Sequence, residues 1–303
     1  MLKAKEIDKQ LRKVLAKTKS PMSKMLAYAL QGSGKRLRPL LCLTVAAGYG
    51  KKKVAMDAAI AIELFHNFTL IHDDIEDGDE TRRNKPTLWK KYGIPMAINA
   101  GDALNIMACE AAASNAAVAK ILFAAFAEVI EGQHLDFELA EGKGTIETCM
   151  EMTEKKTGAL FGAAAEAAGI CTRQTKKECA KLRLFGRSLG TAFQLADDYR
   201  SIWSTKKETG KDAQSDIREH KRTLPFFLAD DKRLEKLYAK KRPLTKGEIS
   251  SALRIFNESG ARQASLKAIE RNVDRACDAI KKTKLRARER DILMGLARTL
   301  STP

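Results

Sequence analysis

Along most of the chain, apolar residues recur every three or four positions between short polar breaks, the spacing of helices packed on one face. Ile7, Leu11 and Leu15 fall on one stripe and predict an opening helix over 4–18. Ser20-Pro21 then supplies an N-cap and a first-turn proline for a short helix through Leu30. Apolar helices are predicted over 40–49 and from Val54 into an acidic stretch, followed by helical patterns over 87–92, 95–113 and 116–138. Lys85-Pro86 and Gly93-Ile94-Pro95 punctuate that region. Further helices begin near Glu147 and span 176–203, and at least three more close the chain, the last carrying Leu293, Leu296 and Leu300. Few β-branched runs, seven prolines and alanine-rich stretches over 111–127 and 159–168 argue for helix throughout. With no linker, repeat or low-complexity segment, the expectation is one all-α domain over residues 1–303.

The helix from Val54 changes character at its end. Leu64, Phe65, Phe68 and Ile71 are apolar, and Asp73, Asp74, Glu76 and Asp77 follow at once. Asp73 and Asp77 are one helical turn apart and project from one face, where two bare carboxylates would repel each other. A hard divalent cation removes that cost, and Mg²⁺ takes one or two carboxylates together with water and phosphate oxygens. Arg82 and Arg83 follow, with forks suited to phosphate. A second acidic pair, Asp197-Asp198, lies inside the helical pattern of Leu182, Phe185, Leu189 and Phe193. Two such helices facing each other would hold a diphosphate between metal ions. Asp102, among apolar neighbours, reads as a satisfied buried carboxylate. The turn Gly34-Lys35-Arg36 to Arg38-Pro39, taken alone, reads as a helix C-cap with solvated charges.

Composition narrows the partners. A net charge of +17 suits nucleic acid, an anionic membrane surface or phosphorylated small ligands. No nucleic-acid motif with interleaved aromatics is present, and much of the charge lies in helical stretches where it would be solvated. No nucleic-acid partner is expected. Six scattered cysteines without a Cys-x-x-Cys pair fit reduced, mostly buried thiols rather than disulfides or zinc. The N-terminus lacks the apolar core of a signal peptide, no apolar run is long enough for a transmembrane segment, and the C-terminus has no prenylation cysteine. A soluble, cytoplasmic protein is expected, with a basic surface suited to peripheral contact with anionic membranes.

Taken together, the motifs resemble those of the trans-polyprenyl diphosphate synthases, the class I isoprenyl diphosphate synthases, most closely the geranylgeranyl type. In order they are Gly34-Lys35-Arg36 with Arg38-Pro39, His72-Asp73-Asp74 with Asp77, Arg82-Arg83, Gly101-Asp102 and Gly132-Gln133 with Asp136. Lys156-Thr157-Gly158, Gln194 with Asp197-Asp198, Gly210-Lys211 and Asp216 complete the series. The resemblance implies an all-helical fold around a central apolar cavity, as a homodimer. It implies that Asp73 and Asp77 bind two Mg²⁺ ions and Asp197 a third, about three per site. It places the allylic diphosphate on Arg82, Lys156, Lys211 and Lys221, with Thr157 and Gln194 lining that pocket. Isopentenyl diphosphate would take a metal-free site of Lys35, Arg38, His66 and Arg83. Asp136 looks like a partner of the metal-bound waters.

The implied reaction is condensation of isopentenyl diphosphate with dimethylallyl, geranyl or farnesyl diphosphate by ionisation, condensation and elimination. Phe68 and Thr69, five and four positions before Asp73, would set chain length and favour geranylgeranyl diphosphate. Farnesyl or longer products, a class I terpene cyclase and a non-catalytic subunit of a heteromeric synthase are the alternatives. The chain departs from the family at Ser201, where a third aspartate would stand. Activity is expected to survive that change.

Overall fold

The computed structural model describes residues 4–17, 21–31, 34–204 and 214–302. Among them, regular structure is helical apart from one short hairpin, so the fold is all-α. The chain forms two compact units: Met1–Phe126 with Ala163–Ala180 and Lys284–Glu289, and Ala127–Gly162 with Lys181–Thr283 and Arg290–Pro303.

The first unit contains α1 (Ala4–Lys17), α2 (Ser23–Leu30), α3 (Leu37–Gly48), a 3₁₀ turn (Lys52–Ala55) and α4 (Met56–Glu76). A hairpin of β1 (Thr81–Arg82) and β2 (Lys85–Pro86), α5 (Leu88–Tyr92), α6 (Ile94–Ala112) and the start of α7 (Ala116–Ala140) follow. Helix α4 is its axis. From Ala58 to Phe68 nearly every side chain is buried, because α3 and α6 both pack against it. A helix apolar all round belongs in an interior, and Ala58, Ala59 and Ala61 let its neighbours come close. Below its acidic end Phe65 stacks on Phe126, ring centroids 3.6 Å apart. Among the described residues, α4 with its preceding turn is the one helix long and apolar enough to cross a membrane, and it is mostly buried within the protein.

Two helix starts differ from the sequence expectation. Helix α2 begins at Ser23, with Met22 in the capping position and no side-chain cap. Pro21 and Met22 form a turn before it, and Ser20 lies outside the described residues. Helix α3 begins three residues early, at Leu37, because Arg36 sits in the left-handed region (φ 50°) and the helix starts directly after it.

The second unit holds the rest of α7, α8 (Ile146–Thr153) and a π-turn (Glu154–Gly158), with parts of α9 (Ala159–Cys171) and α10 (Lys176–Trp203). From residue 215 on come α11 (Ser215–Arg218), α12 (Leu224–Ala229), α13 (Lys232–Tyr238), α14 (Lys246–Glu258), α15 (Ala261–Lys281) and most of α16 (Ala287–Leu300). One apolar cluster gathers Leu139, Cys149, Leu195, Tyr199 and Ile269, and another gathers Ile202, Ile217, Leu234 and Phe256. Thr145, Asp231 and the Thr245–Glu248 capping box close helix N-termini that would otherwise expose bare N–H groups. All six cysteines are free thiols.

Candidate active site

In the first unit, one helix presents two kinds of chemistry. Asp73 lies in the last turn of α4 and Asp77 caps it, the Asp77 N–H donating to the Asp73 carbonyl at 2.8 Å. The helical turn is therefore intact between them, and the two carboxylates share a face as their spacing requires. Asp74 points inward and is 5% exposed, where its carboxylate accepts from Arg82 Nε. Burial pushes the Asp74 carboxyl up, and the Arg82 guanidinium works against that shift. Arg82 also lies 3.7 Å from Asp79, so its fork is anchored beside the acidic end of α4.

Two turns earlier on α4 the environment is cationic. Arg38 Nη1 lies 3.1 Å from His66 Nε2. Burial lowers the Arg38 guanidinium to about 10, opposed by the negative charges of Glu63 and Asp73. The His66 imidazole is held well below 6.5, first by burial and then by Arg38, Arg83, Arg82 and Arg36. It is therefore neutral. With Arg38 donating to Nε2, the proton resides on Nδ1, leaving an N–H donor in a cationic setting. Arg83 and Asn84 both have positive φ (54° and 61°), the geometry of a type I′ hairpin turn. That turn brings the Arg83 guanidinium against Gly34, where a Cβ would stand 2.8 Å from Nη1. Lys35 is exposed beside it. The reading of this turn as merely solvated charge is thus overturned. Arg36 is 5% exposed and donates to Glu63, itself 3% exposed.

Phe68 is buried, 5.3 Å from the Phe65 ring and 4.6 Å from that of His72. Thr69 is half-buried, its hydroxyl donating to the His66 carbonyl. Asp102 departs from expectation. Its side chain is 63% exposed, 3.8 Å from His72 Nε2, on an outward face of α6 with Ile98 and Ile106. Its nearest apolar neighbours, Ala100, Gly101 and Leu104, are buried, so α6 turns them inward and Asp102 outward.

In the second unit, Gly132 of α7 admits the backbone of the π-turn: a Cβ there would stand 2.3 Å from the Lys156 nitrogen. One turn further along α7, Asp136 accepts from Lys156 Nζ at 2.6 Å. The Thr157 hydroxyl donates to Gln194 Oε1 at 3.0 Å, and Gln194 Nε2 donates to Asp198 Oδ1 at 2.9 Å. That relay fixes which way the amide points. Asp198 is 4% exposed, and its Oδ2 has no hydrogen-bond partner among the described residues. Burial pushes this carboxyl strongly up, with Asp216 the next contributor. Asp197 is more open and accepts from Arg200 at 2.6 Å. The Ser201 hydroxyl turns back on its own helix, donating to the Asp198 carbonyl at 2.7 Å. Lys221 is exposed, 3.1 Å from Glu219, while neighbouring Arg222 donates to carbonyls at the end of α7. Lys211 lies outside the described residues.

The sequence reading missed the buried Arg36–Glu63 pair. A signal was present: Glu63 is a lone charge in an apolar helix, and a buried charge needs a partner.

A family model described as polyprenyl synthetase matches residues 19–256. A short chain isoprenyl diphosphate synthase of Methanocaldococcus jannaschii is 40% identical over 230 residues, 72% of this chain and 69% of that protein. A geranylgeranyl pyrophosphate synthase of Geoglobus acetivorans is 34% identical over 95% of this chain and 87% of its own length. The crystal structure of geranylgeranyl pyrophosphate synthetase from Pyrococcus horikoshii superimposes with a TM-score of 0.92 at 33% identity, covering 99% of this chain and 96% of that one. With the ordered motifs and the all-α fold, these matches establish that the chain belongs to the polyprenyl synthetase family and is a prenyltransferase.

Proposed function

We propose that the protein condenses isopentenyl diphosphate with allylic diphosphates and releases geranylgeranyl diphosphate as its main product. One observation carries this reading. Helix α4 ends on the Asp73/Asp77 pair and, two turns earlier, carries His66, which Arg38 of α3 meets at 3.1 Å to form a separate cationic cluster. A terpene cyclase ionises one diphosphate and has no use for a second anion site, so this arrangement favours chain elongation.

The residues fit Mg²⁺. Among the described residues no three His, Cys, Asp or Glu side chains form a protein-only cage. Mg²⁺ asks for less, one or two carboxylates with its remaining positions on water and phosphate. In the second unit, Asp198 Oδ2, without a hydrogen-bond partner among the described residues, marks a buried carboxylate short of positive charge. Asp73, Asp77 and Asp197 would hold the ions, which when bound supply Lewis-acid stabilisation of the departing pyrophosphate. Lys156, Arg82, Lys211 and Lys221 supply fixed positive charge to the same leaving group. Thr157 and Gln194 line that pocket. Lys35, Arg38 and Arg83 grip the diphosphate of isopentenyl diphosphate, and neutral His66 adds its Nδ1–H.

In the reaction the allylic C1–O bond breaks, and the double bond of isopentenyl diphosphate captures the cation. A proton then leaves C2 for the released pyrophosphate. Apolar walls keep water from the cation. Phe68, packed against Phe65, closes the path of the growing chain.

We further propose a homodimer over one synthase domain, 1–303. Phe123, Ile130 and Phe137 recur at seven-residue spacing on α7 and are all exposed, a stripe that a second copy would cover. Free thiols support a cytoplasmic location. The deciding assay incubates the protein with Mg²⁺, labelled isopentenyl diphosphate and each allylic primer, and sizes the products by chromatography. A ladder ending at the geranylgeranyl length is expected. Consumption of an allylic primer alone would move the assignment to a cyclase.

A further inference from the structure

The turn before α3 carries three cations, Lys35, Arg36 and Arg38, and the structure divides their labour. Arg36 is a non-glycine residue in the left-handed region, with its side chain 3% exposed. Its guanidinium reaches three helices. Nε donates to Asp8 of α1 at 3.0 Å, Nη2 to the Leu30 carbonyl that ends α2 at 2.7 Å, and Nη1 to Glu63 of α4. Glu63 is fixed in turn by Asn67, whose amide donates to its carboxylate at 3.1 Å and its carbonyl at 2.7 Å. Arg36 therefore has little capacity left for a substrate anion.

We propose that the Arg36–Glu63 pair is a positioning device for the isopentenyl diphosphate subsite. Lys35 precedes Arg36 directly, and Arg38 follows two residues later and meets His66, one turn beyond Glu63. Locking Arg36 to α1, α2 and α4 fixes the turn against α4 and thereby sets the Arg38–His66 distance. Glu63 also supplies negative charge felt by both Arg38 and Arg83, which lets several guanidinium groups share one partly buried place. Arg36 acts through its neighbours and touches no reacting atom. This inference rests on the function proposed above for Lys35, Arg38 and His66.

The test must separate positioning from stability. Removing one partner of a buried pair leaves an uncompensated charge, whereas replacing both with apolar residues of similar size is often neutral. The informative variants are therefore Arg36→Met with Glu63→Met together, and Arg36→Lys alone. Three quantities are read: thermal midpoint, the separate KM values for isopentenyl diphosphate and the allylic primer, and the His66 imidazole ¹⁵N shifts. In the double variant the expectation is a midpoint near wild type and a KM for isopentenyl diphosphate raised about tenfold. The allylic KM should move by less than about twofold, and the Nε2 shift should report loss of the Arg38 contact. Arg36→Lys keeps the charge opposite Glu63 but cannot reach all three helices, so a smaller rise of about threefold is expected. A folded double variant with wild-type KM and unmoved His66 shifts overturns the proposal, as does an equal rise in both KM values. If the double variant does not fold, Arg36→Lys with unchanged KM and shifts overturns it. If the wild-type protein never consumes isopentenyl diphosphate, the functional reading fails instead, and the His66 shifts alone decide whether Arg36 positions Arg38.

Discussion

The two acidic regions look alike in sequence and are opposites in charge economy. The α4 region surrounds its carboxylates with guanidinium groups, and its two buried acids, Glu63 and Asp74, each accept from one, Arg36 and Arg82. Its histidine is kept neutral first by burial and then by that surplus of positive charge. The buried carboxylate of the α10 region is held differently: Asp198 has an oxygen with no hydrogen-bond partner among the described residues, and burial and then Asp216 disfavour its charged form. The first is prepared for an anion, and the second is prepared for a cation. A family whose substrates are diphosphates and whose expected cofactor is a divalent metal has use for both.

The largest effect that would break this contrast is at Asp73. Asp73→Ala should lower turnover at least roughly a thousandfold while barely moving the thermal midpoint, since the group sits at a helix end. Steady-state assay beside thermal melting checks it. Unchanged turnover would leave the α4 region with anion binding only and assign the metals to the α10 region alone.

Phe68→Ala should come next, because the path of the growing chain is assigned to the α4 region. Truncating this buried ring should lengthen the products by one or more isoprene units and cost about 3 kcal/mol of stability. The Phe65–Phe126 stack beneath should limit the extension. An unmoved product profile on chromatography removes Phe68 from the chain-length role.

A smaller effect sharpens the electrostatic side. His66 has a depressed folded-state pKa, so between that value and 6.5 the unfolded chain binds the proton that the folded one refuses. The stability contributed by neutral His66 is thus fully present above pH 6.5 and is lost as pH falls from there towards the folded value. His66→Gln should melt with a shallower loss on the acid side, read as the difference in midpoint across a pH series. Titration of the His66 resonances near 6.5 would contradict the neutral assignment.

The smallest change is expected at Ser201. Its hydroxyl serves only the backbone of α10. Ser201→Asp should leave turnover within about threefold, because one more partly exposed carboxylate joins a region already built for cations. A collapse of activity would mean that the region is near its limit of negative charge.

Sequence alone determined the class of fold, the order of its helices and the two acidic stretches, because helical periodicity, alanine content and i, i+4 carboxylate spacing are local properties of the chain. Even the bounds of α10 follow from its pattern, 176–203 in both readings. Tertiary structure decided which charges are buried and by whom. Nothing local distinguishes Arg36 from Lys35, yet one is enclosed by three helices and the other faces solvent. Asp102, surrounded in sequence by apolar residues, is exposed because α6 turns Ala100, Gly101 and Leu104 inward and Asp102 outward, on the face of Ile98 and Ile106. The left-handed turn that lays Arg83 on Gly34, and the π-turn that Gly132 admits beside Asp136, depend on close approach between segments far apart in the chain. Periodicity fixes the face of a helix, but what meets that face is settled only when the other segments have packed.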